Sequence, residues 1–307
     1  MPIILPEGLP ARNALIGEGL VVTGHASPLK VALVNLMPRK IDSEFQIARM
    51  LAASPHAVEI SLLLPSGHES KTTDGAHLRR FYRCWEEVAD TAFDGLIVTG
   101  APVEKLPFEA VDYWSSLSAM FEWANARIGH SLYICWAAQA ALYHAYRIGK
   151  HDLPAKAFGV FEQTNQARRH PLVRGMGQVI TTPVSRHTTV EQGEIDAVAN
   201  LVTVAASRAT GPCLIADDTR RAAYIFNHLE YEADTLIREY RRDLAAGLDI
   251  CPPVNMDLPV RTARCSGTPW QRDATLFFHN WLAMVARERQ GCRCRPDDPR
   301  GGFRMAG

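Results

Sequence analysis

The residues of this chain best placed for chemistry are Cys135, His228 and Glu230. Cys135 follows the short apolar run Leu132-Tyr133-Ile134, and a run of helix formers, Trp136-Ala137-Ala138-Gln139-Ala140-Ala141-Leu142, follows it at once. That pattern predicts a strand-to-helix turn with the thiol at its tip. Such a turn holds a nucleophile above the carboxyl edge of a sheet and aims the next backbone N–H groups at a reacting oxygen. It also sets the positive end of a helix dipole beside a thiolate. The same residue could instead be a buried strand-end cysteine packing as a small hydrophobe. His228 and Glu230 are two apart, so in an extended segment their side chains share one face. A carboxylate there accepts a hydrogen bond from one imidazole nitrogen, fixes the tautomer and leaves the other nitrogen free to work on a nucleophile. His-x-Glu is common by chance, and its position in the chain gives it weight.

The elements that must position these groups are legible as alternating strands and helices. Lys30 to Leu36 is a near-continuous apolar run of the kind found in a parallel sheet buried on both faces. A helix is expected from Ser43 to Ala53, where Phe45, Ile47, Ala48 and Leu51 form a stripe, and a second strand from Val58 to Leu64. A polar loop over residues 65–76, a helix from Ala76 to Glu87 and a strand within Phe93–Pro102 come next. That strand runs into Thr99-Gly100-Ala101-Pro102, where glycine lets a ligand approach the backbone closely. A helix from Tyr113 to Ala126 leads to the strand that delivers Cys135, and Trp136 to Tyr146 is helical. Residues 149–163 read as irregular; strands follow at Val179–Arg186, Leu201–Ser207, Cys213–Ala216 and Arg221–Asn227, then a helix from about Asp234 to Ala246. Three candidate features, Gly100-Ala101, Cys135 and His228-x-Glu230, each follow the carboxyl end of a strand, which is the expected crevice of an open α/β sheet. Together they make a Cys-His-Glu site with an oxyanion hole the leading reading.

Composition narrows the partners. The 307 residues carry 33 basic and 33 acidic side chains, so there is no electrostatic footprint for nucleic acid and no polybasic face for a membrane. Seven scattered cysteines do not form a disulfide framework, and a reducing cytoplasm fits them best. The N-terminus lacks the pattern of a signal peptide, and no run approaches the roughly 18 apolar residues of a membrane span. Residues 1–28 are expected to be an extended arm, residues 29–288 one α/β domain, and residues 289–307 a disordered tail rich in Gly, Pro and charge. Cys292-Arg293-Cys294, two thiols one residue apart without nearby His, is a poor metal set, so no metal is expected.

Four stretches resemble the homoserine O-acyltransferases of methionine biosynthesis, a branch of the class I glutamine amidotransferase-like fold. They are Pro28 to Pro38, Phe93 to Pro102, Cys135 to Leu142, and Glu230-Tyr231 with the helix after it. The likeness covers residues from about 8 to about 250. It implies a three-layer α/β fold with a mostly parallel sheet, and a double-displacement reaction. Cys135 would take an acyl group from acyl-CoA as a thioester, His228 would be the general base and Glu230 would orient it. Backbone N–H groups of Trp136, Gly100 and Ala101 would hold the oxyanion. Lys156, Ser185 and Arg242 fall where the family binds its amino acid, and the guanidinium of Arg242 suits a carboxylate. Glu104 stands where the family carries Glu with acetyl-CoA and Gly with succinyl-CoA, because a carboxylate there repels a succinyl group. The resemblance thus implies O-acetyl transfer to L-homoserine with acetyl-CoA as co-substrate, no other cofactor and a cytoplasmic homodimer. Succinyl-CoA as donor, L-serine as acceptor, and a glutamine amidotransferase-type hydrolase are the alternatives. The chain departs from the family pattern in carrying Asn227 and Leu229 around His228, and in the segment Pro252–Trp270.

Overall fold

The computed structural model describes residues 3–21, 24–67, 72–257 and 267–293. In chain order the elements are β1 (Ile3–Ile4), α1 (Pro10–Gly17), β2 (Leu29–Val34), α2 (Lys40–Ala52), β3 (Val58–Leu64), α3 (Gly75–Phe81) and β4 (Tyr82–Cys84). Then come β5 (Gly95–Val98), α4 (Trp114–Arg127), β6 (His130–Ile134), α5 (Trp136–Tyr146), β7 (His151–Asn165) and β8 (Val179–Thr189). The remainder is α6 (Gln192–Asp196), β9 (Leu201–Ser207), β10 (Gly211–Asp217), β11 (Ala222–Ile225), α7 (Thr235–Ala245) and α8 (Gln271–Arg293).

The strands form one sheet in the order β1-β3-β2-β5-β6-β11-β10-β9-β7-β8, with β4 also on β3. Pairs from β1 to β11 along this order are parallel; those from β11 to β8 are antiparallel. The chain winds outward from β2 to β3 on one side and to β5 and β6 on the other, so the carboxyl ends of β2 and β5 flank a switch point. Alternation along the strands feeds two apolar layers. Val31 and Leu33 of β2, with Leu132 and Ile134 of β6, face the side covered by α2 and α8. Ala32, Val34 and Tyr133 face the side covered by α4 and α5. Burial on both faces is why these strands read as unbroken apolar runs. No helix among the described residues is long and apolar enough to cross a membrane.

Four stretches differ from the sequence expectation. The N-terminal segment is not an extended arm: β1 pairs with β3, and α1, opened by Pro10, buries Leu9 and Leu15 in the core. The helix expected to reach Glu87 ends at Phe81. Tyr82 to Cys84 turn extended because β3 offers them an edge and the Tyr82 hydroxyl reaches Glu44 at 2.6 Å. The segment expected to be irregular is the 15-residue strand β7. Its alternation is masked by Gly159 at φ +143°, where the backbone of Val254 lies so close that a Cβ would meet its carbonyl oxygen at 2.3 Å. Finally, α8 runs through Arg293 rather than stopping at residue 288, and Arg289 is tied to the Pro28 carbonyl at 2.6 Å. The rest of the tail, with Cys294, lies outside the described residues, as do residues 258–266.

Candidate active site

Cys135 occupies the N-cap of α5 with φ 53° and ψ −115°, a left-handed conformation that a non-glycine residue adopts only at a cost. What holds it there is its own N–H, which donates to the Ile225 carbonyl at 2.7 Å, and the burial of α5 from Trp136 to Leu142. In this turn the Cys135 side chain packs partly against the core and opens to a cavity on its other side. At the start of α5 the Ala138 and Gln139 N–H groups close on the Cys135 carbonyl at 3.1 and 3.3 Å, which leaves those of Trp136 and Ala137 ahead of the first hydrogen bond of the helix, next to the cysteine in the chain. Gly100, at the end of the neighbouring β5, leaves room for the thiol: a Cβ on it would lie 3.2 Å from Cys135 Cβ and 3.8 Å from Sγ.

His228 and Glu230 follow β11, which pairs with β6 in register Ile225 to Ile134, so they lie beside Cys135. The His228 N–H donates to the Pro183 carbonyl of β8 at 2.9 Å, and Nδ1 lies 2.6 Å from Glu230 Oε1. The segment is a turn, closed by the Tyr231 N–H on the His228 carbonyl, and not the extended stretch that the two-residue spacing suggested. Both side chains are buried. Burial disfavours a charged imidazole, but the Glu230 carboxylate and Cys135, which hydrogen-bonds the ring, outweigh it and hold His228 well above the ordinary histidine range. The Tyr231 ring stacks on the imidazole at 4.3 Å and 19° and fixes its plane.

Cys135, His228, Gly100, Ala101, Trp136, Glu104, Lys156, Ser185 and Arg242 all line one cavity of about 230 Å³, which also receives Met37 and Pro38 from the loop after β2. Of the residues singled out in the sequence, only Glu230 stands behind this wall, in contact with His228. Two further groups organise the cavity. Glu239 accepts the Tyr231 hydroxyl at 2.6 Å and the Ser185 hydroxyl at 2.7 Å, so one carboxylate ties the histidine turn to β8. Asp243 accepts Lys156 Nζ at 3.2 Å and Arg242 Nε at 2.7 Å, which places both cations on one wall. Burial works against the Asp243 charge, but the hydrogen bonds and charges of Arg242 and Lys156 outweigh it and hold its carboxyl below the usual range. Sequence reasoning missed Glu239 and Asp243. Their signal was present, since Glu239, Arg242 and Asp243 stand at i, i+3 and i+4 on one helix and therefore on one face.

Glu104 is half-buried on the cavity wall. Its backbone carbonyl accepts Lys150 Nζ at 2.8 Å, and the adjacent Lys105 pairs with Asp152. The arrangement suits acyl transfer: a thiol, an imidazole oriented by a carboxylate, the N-terminus of a helix beside the thiol, and a cavity lined by both cations and carboxylates.

The sequence model of the family described as homoserine O-succinyltransferase matches residues 2–290. A homoserine O-acetyltransferase of Synechococcus elongatus is 46% identical over 292 residues, covering 92% of this chain and 97% of that protein. One from Dinoroseobacter shibae is 43% identical over 292 residues, covering 93% and 96%. Among solved structures, a glutamine amidotransferase from Thermotoga maritima superposes with a TM-score of 0.54 at 13% identity, over 86% of this chain and 99% of that one. A glutamine amidotransferase from Methylobacillus flagellatus does so with a TM-score of 0.55 at 14% identity, over 84% and 96%. At such identity the likeness speaks for the fold: a class I glutamine amidotransferase-like α/β architecture.

Proposed function

The chain belongs to the homoserine O-succinyltransferase family, acyltransferases of methionine biosynthesis, and on that premise we propose that it moves an acetyl group from acetyl-CoA to the side-chain hydroxyl of L-homoserine. The observation that carries the chemistry is the buried His228, oriented by Glu230 at 2.6 Å and sharing one cavity with a cysteine on a strained turn.

In the first half-reaction Cys135 Sγ attacks the thioester carbonyl. The oxyanion forms opposite the N–H groups of Trp136 and the Gly100-Ala101 turn, the C–S bond to CoA breaks, and the departing thiolate takes the His228 proton. In the second, neutral His228 removes the proton of the homoserine hydroxyl, whose oxygen attacks the acetyl-cysteine. The C–S bond to Cys135 breaks, releasing O-acetyl-L-homoserine and regenerating the thiolate beside protonated His228. Arg242 and Lys156 would take the substrate carboxylate, and Glu239, backed by Ser185 and Tyr231, its ammonium group. CoA is a co-substrate in this scheme and no further cofactor takes part.

The half-buried carboxylate of Glu104 on the same wall as Cys135 favours a methyl over a succinyl terminus, and the acetyltransferase names of the relatives point the same way. The family description, which names succinyl transfer, keeps the succinyl donor as the second reading. We place the enzyme in the cytoplasm, where CoA thioesters are available and free thiols such as Cys251 stay reduced, and expect a homodimer.

The test is release of CoA thiol by purified protein, with acetyl-CoA or succinyl-CoA, each with L-homoserine, with L-serine or without acceptor. Turnover with acetyl-CoA that depends on homoserine is expected. Preference for succinyl-CoA would remove the role given to Glu104, and turnover with serine alone would reassign the acceptor. Absence of CoA release under every condition would leave a hydrolase of the amidotransferase type.

A further inference from the structure

Arg186 is a buried cation that the scheme above does not use. It is 1% exposed. Its Nη1 donates to Asn227 Oδ1 at 2.5 Å, and its Nη2 to the carbonyls of Thr210 and Pro212. All these acceptors are neutral, and Nε has no partner among the described residues. A guanidinium does not release its proton in a protein, so the charge is permanent, and burying it opposite neutral groups alone is costly. A charge kept under those conditions calls for an anion.

Two cysteines adjoin this arrangement, Cys213 through the Asn227 side chain and Cys135 through a shared cavity, and the fold distinguishes them. Cys213 is fully buried, accepts Asn227 Nδ2 at 3.1 Å, and is pushed up to about 12 by burial, so it remains a thiol. Cys135 lines the same cavity as Arg186 and opens to it. The backbone ties the two: Cys135 N–H is held by Ile225, two residues before the Asn227 side chain that holds the guanidinium. Asn227 is also the residue that departs from the family pattern before His228, and here it serves as the clamp on Arg186.

We propose that Arg186 is a positioning residue for Cys135, a permanent buried cation clamped by Asn227 that favours the Cys135 thiolate whatever the protonation state of His228. The charged and titratable groups that share the cavity with Cys135 are His228, Tyr231, Glu239, Arg242 and Asp243 from the segment after β11 and α7, Arg186, His187 and Lys156 from β8 and β7, and Glu104 from the loop after β5, with Glu230 acting through His228. His228 must pass between its neutral and charged forms during turnover; Arg186 does not. When the homoserine oxygen displaces the cysteine, the departing thiolate then leaves towards a charge that is already in place, without waiting for a proton. This rests on Cys135 being the acyl-accepting nucleophile.

The test needs no substrate: alkylation of Cys135 by iodoacetamide, followed on its own peptide by mass spectrometry, in the full chain from about pH 5 to about pH 10. In Arg186→Met the midpoint should rise by about one unit or more, slowing alkylation at neutral pH about tenfold, and Arg186→Lys should recover most of that loss. In His228→Ala, where Arg186 is untouched, the midpoint should stay below the value of about 8.5 typical of a free cysteine. A folded Arg186→Met protein with the wild-type profile would overturn the proposal. So would a His228→Ala midpoint at or above the free-cysteine value, and this arm decides the matter if the Met variant fails to fold. A wild-type Cys135 no more ionised than a free cysteine would remove the nucleophile reading along with the role of Arg186. A depressed midpoint unchanged in Arg186→Met would remove the latter alone.

Discussion

Replacing Glu230 by Gln keeps the shape of the pair with His228 and removes its charge. The two side chains are buried and 2.6 Å apart, so the bond is charge-assisted and sheltered from solvent. A hydrogen bond to a charged group in such a place contributes about 1.5 to 3 kcal/mol. At about 1.4 kcal/mol per factor of ten, loss of that support for the imidazolium predicts a fall in kcat/KM of roughly ten- to a hundredfold. In the proposed scheme both half-reactions pass through protonated His228, so CoA release without acceptor and homoserine-dependent turnover should fall together. The pH dependence follows from the raised pKa of His228. A group whose pKa is higher in the folded protein stabilises the fold fully below its unfolded value and loses that contribution as pH rises through the folded one. The gap in Tm between wild type and Glu230→Gln should therefore be widest below about pH 6.5 and close as the pH climbs above it. Stopped-flow thiol detection and thermal melts across pH measure the two effects. A variant within about twofold of wild type in kcat/KM, with a Tm gap independent of pH, would refute the reasoning, because a buried carboxylate would then be contributing nothing to the charge on His228.

Other expectations follow from the same walls. Glu104→Gly should raise kcat/KM for succinyl-CoA relative to acetyl-CoA by about tenfold or more, since two carboxylates about 4 Å apart repel by several kcal/mol at an effective dielectric near 20; an unchanged ratio would dismiss that pocket argument. Glu239→Gln should raise KM for homoserine by about tenfold or more while leaving acetylation of Cys135 by acetyl-CoA near wild type, as a direct assay of the acyl-enzyme would show. If acetylation itself collapses, Glu239 supports the histidine turn and does not bind the amino acid. Gly159→Ala should cost about 2 kcal/mol or more, because φ +143° is strained for alanine and its Cβ would strike the Val254 carbonyl at 2.3 Å. A thermal melt should then shift by about 5 °C, and an unshifted one would mean that the segment around Val254 moves aside without cost.

The strands that carry Gly100, Cys135 and His228 were readable in the chain because parallel strands buried on both faces leave continuous apolar runs, and because each candidate residue sits just past such a run. The cysteine turn was readable for the same local reason, an apolar run abutting helix formers. The partnership of His228 with Glu230 was readable from spacing, although the backbone achieves it by a turn. What local sequence could not carry was long-range pairing. Tyr82 to Cys84 look helical until β3 offers an edge, and β7 looks irregular because a glycine and polar residues interrupt a strand whose partner lies some 20 residues on. The contacts of Glu239 and Asp243 depend on which way α7 turns its polar face, and those of Arg186 on which neutral groups close around it after folding. Sequence alone determines what each segment prefers and which side chains can react. The distances, the burial that gives a charge its strength, and the pairing of residues far apart in the chain arise only when the sheet closes, since electrostatic interaction depends on separation and on the exclusion of water.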